Sequence, residues 1–154
     1  MKTASRSETR VLLLAEDDPE DSLMVREALA QADVNAELHT VEDGRRLMDY
    51  LRRQGEYGDP ARSPRPNIIL LDLNMPNMDG RQAIAQIKDD PALRHIPLVV
   101  LTASRAAKDI GIAYESGASS FIKKPASFSE LVDVMKKLAV YWLDTVELPP
   151  VAHR

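Results

Sequence analysis

The chain contains no cysteine, which excludes a disulfide framework, a thiolate zinc site and thiol catalysis. It also lacks an excess of positive charge. Lys and Arg total 20 against 24 Asp and Glu, a formal net charge of −4, whereas a general nucleic-acid binder depends on a dense positive surface. The basic pairs Arg45-Arg46, Arg52-Arg53 and Lys136-Lys137 are short, with acids between them. No long apolar run occurs: the longest, LAVYWL at 138–143, falls far short of the roughly 20 residues of a membrane span. Residues 1–10 are polar and hold no signal-peptide core. Internal repeats and low-complexity tracts are absent too. What is there is enough apolar material for a packed core, 44 % of 154 residues, so a largely disordered chain is excluded. The expectation is one domain, soluble and cytoplasmic, with no membrane and no nucleic acid as partner.

Short aliphatic runs alternate with helix-period segments. The runs are VLLLA at 11–15, IILL at 68–71 and LVVL at 98–101, with weaker candidates at 37–41 and 120–123. Continuous runs of this kind suit strands covered on both faces, as in a parallel sheet. The first helix is expected after Asp18 as N-cap, with Pro19 at its first position and Val25, Leu29 and Ala32 inward. A second spans about 43–54, with Leu47 and Leu51 on one face. A third covers roughly 80–89, using Ile84 and Ile87. A fourth, about 106–116, is poor in large apolar residues and ends at Gly117. The last is the most regular, with Phe128, Leu131, Met135, Leu138 and Trp142 at three-four spacing. Five strands alternating with five helices predict an α/β fold, a doubly wound five-stranded parallel sheet. The Gly- and Pro-rich segment 55–66 reads as a loose exposed loop.

In such sheets ligands collect beyond the carboxyl ends of the strands. Glu16, Asp17 and Asp18 follow the first strand, Asp72 the third, Thr102 ends the fourth and Lys124-Pro125 follows the fifth. Each has an ordinary reading alone. The acids could decorate a helix N-terminus, Asp72 could be a turn residue, Thr102 a β-branched strand residue and Lys124 a solvated surface lysine. All would have to hold at one edge of one sheet. Two carboxylates at ~5 Å repel by about 3 kcal/mol at an effective dielectric near 20, and a divalent cation removes that cost. An incomplete all-oxygen site suits Mg²⁺, which takes one or two carboxylates, waters and a phosphate oxygen. Lys124 and Thr102 then supply an ammonium and a hydroxyl for further phosphate oxygens. Asp72 is left as nucleophile or acceptor in phosphoryl transfer.

These residues resemble a known family. EDD at 16–18, ILLDLNMPNMDG at 69–80, LTA at 101–103 and KP at 124–125 are similar to the receiver domains of two-component response regulators, of the CheY-like, flavodoxin-like fold. The likeness covers about residues 11–139. It implies that Asp72 accepts a phosphoryl group from a sensor histidine kinase. It implies that Asp17 is the direct Mg²⁺ ligand with Asp72, that Glu16 acts through water, and that the Asn74 backbone carbonyl completes the set. Thr102, Phe121 and Lys124 take the switch hydroxyl, aromatic and lysine roles, and the Lys124–Pro125 bond is expected to be cis. The first acid is Glu where the family often has Asp, which bears on the water-mediated metal contact. Of Lys123 and Lys124 only the second has the proline. Asp18 reads as the N-cap rather than a ligand.

A finer likeness joins the first helix, the 55–66 loop and the ending LAVYWLDTVELP to single-domain response regulators that partner phytochrome-type histidine kinases. It implies a homodimer formed through the C-terminal region. Beside its core line the last helix carries Val134, Leu138 and Tyr141, more apolar surface than one sheet face covers. The organisation expected is a polar extension at 1–9, a receiver at 10–140 and a dimerisation tail at 141–154, with output by protein–protein contact. A receiver of this kind is a switch, not an enzyme, though it catalyses its own phosphorylation and dephosphorylation.

The alternative is an Mg²⁺-dependent phosphatase or phosphotransferase using Asp72 covalently, but such enzymes of the haloacid dehalogenase type place D-x-D after the first strand. A flavodoxin-like nucleotide or flavin carrier would need a phosphate loop there, where three acids stand instead. A receiver degenerated to a scaffold would have lost switch positions, and all are filled. His39, His95 and His153 have no metal spacing and read as packing or surface residues. Met75 and Met78 read as packing or partner contacts.

Overall fold

The computed structural model describes residues 9–103 and 107–149. Five strands, β1 (Arg10–Ala15), β2 (Ala36–Val41), β3 (Ile68–Leu71), β4 (Leu98–Thr102) and β5 (Ser120–Lys123), form one sheet in the order β2-β1-β3-β4-β5. Every pairing is parallel. The aliphatic runs are the three central strands, and all of β3 and β4 is buried. Successive side chains of a strand face opposite layers. Leu13, Ile69, Leu71, Leu98 and Val100 therefore meet one set of helices, while Leu12, Leu14, Ile68, Leu70 and Val99 meet the other.

Helices α2 (Gly44–Arg52) and α3 (Gly80–Asp89) cover the first face with Leu47, Leu51, Ile84 and Ile87. Helices α1 (Pro19–Gln31) and α5 (Phe128–Leu138) cover the second with Val25, Leu29, Leu131 and Met135. Asp18 caps α1 as expected, accepting the Glu20 N–H at 2.9 Å with Pro19 behind it. Ala28 shares the inward face of α1, and Ala32 is half-buried at its C-cap. Asp43 caps α2 through the Arg46 N–H at 2.7 Å, and Asp79 with Gln82 closes a capping box on α3. Helix α4 (Ala107–Ser116) buries only Ala113; the expected start at Ala106 lies outside the described residues, as does His153. No helix among the described residues is long and apolar enough to cross a membrane.

Several expectations need correction. The 55–66 segment is not loose: a 3₁₀ turn (Gly55–Tyr57) opens it, and buried Ser63 donates to Tyr57 O at 2.8 Å. Tyr50 Oη donates to Pro64 O at 2.7 Å and Arg65 to Leu51 O, so side chains satisfy backbone carbonyls that no sheet or helix reaches. Phe128 does not face the core but is exposed at the first position of α5. Beyond Leu138 the helix widens into a π-helical end (Ala139–Thr145), whose longer repeat turns Ala139 and Leu143 inward. Leu138 belongs to the core, Trp142 is half-buried against Tyr141, and Val140 and Tyr141 face out. The Lys124–Pro125 bond is trans, since there is no cis peptide among the described residues; trans is the intrinsic preference of an X–Pro bond unless packing imposes the other form. His39 packs on Tyr50 and meets Glu37, His95 is exposed, and Met75 is buried in the core with Met78 packed against it.

Candidate functional site

The carboxyl ends of β1, β3 and β4 are adjacent because the strands are, and backbone bonds hold the segments that leave them. The Asp72 N–H donates to Ala15 O at 3.0 Å, the Glu16 N–H to Val41 O at 3.0 Å and the Lys124 N–H to Thr102 O at 2.8 Å. These bonds extend the sheet by one residue into the rim.

Asp72 lies at the centre, buried with 5 % of its surface exposed. Thr102 Oγ1 donates to its Oδ1 at 2.7 Å, and the Asn74 N–H donates to the same oxygen at 3.1 Å. Lys124 Nζ reaches its Oδ2 at 3.2 Å. The ammonium also meets Glu16 Oε1 at 2.6 Å and Asp21 Oδ2 at 2.8 Å. The expected rim residues thus converge. Phe121 sits on β5 beside Val100 of β4, half-buried against the α2–α3 face, with its N–H donated to Tyr114 Oη at 3.1 Å. Asp18 stays with the helix as its cap.

One carboxylate oxygen each of Glu16, Asp17 and Asp72 lies within 4.8 Å of the others, Asp17 exposed and the other two buried. That all-oxygen trio at one rim fits a hard divalent cation such as Mg²⁺ or Mn²⁺.

Burial drives the Glu16 carboxyl up to about 7, with the Asp72 charge adding to the rise and the Lys124 contact opposing it. Burial works against the Lys124 charge, but hydrogen bonds to Asp21 and Glu16 and the nearby carboxylates outweigh it and hold its pKa above the ordinary lysine range. A proton on Glu16 and a cation in the trio compete for the same oxygens. The proton is bound below about 7, so affinity rises with pH and levels off above that value. Mg²⁺ binding followed by calorimetry is expected to be about tenfold weaker at about pH 6 than at about pH 8. A flat profile would show Glu16 ionised throughout.

Sequence reasoning missed Asp21. It stands three residues after the cap, in the first turn of α1, where an acid is ordinary helix-end chemistry. Its partner is 103 residues away, so no local pattern announces the contact.

A family profile for the response regulator receiver domain matches residues 12–136. Response regulator Rcp1 of Synechocystis sp. is 41 % identical over 140 residues, 91 % of this chain and 93 % of that protein. The crystal structure of the phosphorylated cyanobacterial phytochrome response regulator RcpA is similar at a TM-score of 0.85 and 42 % identity, covering 93 % of this chain and 100 % of that one. The Mn²⁺-bound form of Rcp1 is similar at a TM-score of 0.82 and 41 % identity, covering 92 % of this chain and 99 % of that one.

Proposed function

The chain belongs to the response regulator receiver domain family, and we propose that it signals through a phosphoryl group taken onto Asp72 from a sensor histidine kinase of the phytochrome type. The observation that carries the reading is the arrangement around one buried carboxylate: Thr102 at 2.7 Å and Lys124 at 3.2 Å from Asp72, with Glu16 and Asp17 beside it. In the transfer an Asp72 oxygen forms the new O–P bond as the P–N bond of the phosphohistidine breaks, and the leaving imidazole nitrogen takes up a proton from solvent. Glu16, Asp17, Asp72 and the Asn74 carbonyl would hold Mg²⁺, which would supply positive charge to offset that of the phosphoryl group. Thr102 and Lys124 turn from the carboxylate to the phosphoryl oxygens, and Phe121 repacks behind them. Because these groups belong to the chain itself, it catalyses its own phosphorylation by small donors and its own dephosphorylation.

The kinase approaches over α1, where a cleft of about 380 Å³ beside Glu16 and Asp17 is bordered by Leu23, 53 % exposed. The resemblance to Rcp1 and RcpA supports the phytochrome link, and a cytoplasmic location follows from such a partner. Residues 10–140 form the receiver. Output passes by contact, with helix α4 poised to shift because only Ala113 anchors its buried side.

The test is incubation with Mg²⁺ and acetyl phosphate. A stable adduct of ~80 Da, the mass of a phosphoryl group, is expected on the peptide holding Asp72. Multiple turnover of ordinary phosphomonoesters would favour the covalent phosphatase instead; no adduct would sink the receiver reading, and neither adduct nor turnover would sink both.

The same reading includes a homodimer through the C-terminal tail, 141–154. Val140 and Tyr141 are 60 % and 54 % exposed, beside an apolar groove of about 310 Å³ lined by Ile122, Val134, Leu138 and Trp142. Light scattering after gel filtration is expected to give a dimer for the wild type and a monomer for Tyr141→Lys. A wild-type monomer at about 100 μM would rule out a stable dimer, since association this weak is worth under about 6 kcal/mol.

A further inference from the structure

A lysine ammonium has three N–H donors, and in Lys124 each has its own carboxylate: Glu16 at 2.6 Å, Asp21 at 2.8 Å and Asp72 at 3.2 Å. Glu16 and Asp72 belong to the trio suited to a cation, and Asp21 does not. Asp21 comes from a different element, the first turn of α1, which Asp18 and Pro19 fix in place. Its side chain is 38 % exposed while that of Lys124 is 20 % exposed.

We propose that Asp21 is the positioning residue for Lys124, holding the ammonium on a carboxylate the cation does not use, so that lysine and cation occupy the pocket together. The proposal rests on the reading of the pocket given above. Lys124 and a divalent cation draw on the same two carboxylates. A largely buried ammonium without another anion would lose its partners as the cation entered, and an unpaired buried charge is costly. Such a lysine would stay on Glu16 and Asp72 and hold the cation out. With Asp21 in place one N–H keeps a full negative partner. The other two can turn from Glu16 and Asp72 toward an incoming phosphoryl oxygen without the side chain leaving the rim.

The simpler view is that Asp21 and Lys124 form a surface ion pair of little consequence, as most exposed pairs are, and that Asp21 attracts cations only through its charge. A double-mutant cycle separates the two. Mg²⁺ affinity is measured by calorimetry at about pH 8 for wild type, Asp21→Asn, Lys124→Met and the double variant, with circular dichroism on the same samples. Asp21→Asn is expected to weaken Mg²⁺ binding by roughly threefold to tenfold when Lys124 is present, and by less than about twofold in the Lys124→Met background, the coupling expected of neighbours in one charge network. Lys124→Met alone is expected to tighten binding. Asp21→Ser is a second variant with the same expectation, should the amide disturb the turn. Equal effects of Asp21→Asn in the two backgrounds, or none in either, overturn the positioning role while leaving the pocket's reading intact. A wild type that binds no Mg²⁺ overturns that reading and this proposal with it.

Discussion

Asp72→Asn is expected to abolish the ~80 Da adduct, with at most a trace of the wild-type phosphorylation remaining. The amide has the shape of the carboxylate but is not a nucleophile at neutral pH, and nothing else at the centre of the rim is placed to replace it. Glu16 is engaged by Lys124 at 2.6 Å and by the Asp18 N–H at 3.2 Å, while Asp17 is exposed at the edge. Asn still accepts from the Asn74 N–H and the Thr102 hydroxyl through its carbonyl. Its NH₂ group then points toward Lys124 Nζ, which sits 3.2 Å from the second oxygen. That donor–donor contact is unfavourable, but removing a charge that pushes the Glu16 carboxyl upward favours the fold. The two effects oppose each other, so stability is expected to stay within about 1 kcal/mol of wild type. Intact protein mass after donor treatment, beside a thermal melt, reads both. An adduct of the same mass on the variant would move the acceptor to another carboxylate.

The rim was legible because it is a property of topology. Aliphatic runs mark β1, β3 and β4, a parallel sheet puts their carboxyl ends together, and the residue after each run therefore lands at one edge. Thr102 and Asp72 are 30 positions apart and hydrogen-bonded for that reason alone. The features that escaped depend on side chains finding backbone or distant partners. Tyr50 and Arg65 order the 55–66 loop by bonding carbonyls, and Gly and Pro content says only that the segment is neither helix nor strand. Phe128 keeps three-four spacing with Leu131 yet faces solvent at the first position of α5. The π-helical end changes the period from 3.6 just where the apolar line was extrapolated. Asp21, an acid in the first turn of α1, is also ordinary macrodipole chemistry. The Asp21–Lys124 contact exists only once α1 has packed against α5 and set its first turn at the rim.

Gly80→Ala is expected to destabilise the protein by about 3 kcal/mol and to disturb the acceptor at the same time. Gly80 opens α3, and its N–H donates to Leu73 O at 2.9 Å. A Cβ there would lie 2.6 Å from Asp72 O and 2.6 Å from Leu73 Cα. Both atoms are backbone, so no rotamer relieves the overlap. Either α3 lifts from the sheet, pulling Ile84 and Ile87 out of fully buried positions, or the chain around Asp72 and Leu73 moves and takes the carboxylate from Thr102. The higher helix propensity of alanine returns at most about 1 kcal/mol, so the clash wins. Gly111→Ala is the matched control: it lies within α4, its Cβ meets nothing within 4 Å, and it is expected to stabilise by about 0.5–1 kcal/mol. Urea unfolding midpoints of the two variants should therefore move in opposite directions from wild type. The rate of acetyl phosphate labelling should fall for Gly80→Ala and hold for Gly111→Ala under conditions where both remain folded. Equal midpoints for Gly80→Ala and wild type would mean that α3 does not press on the backbone of Asp72, and that the DG step at 79–80 caps a helix without positioning the acceptor.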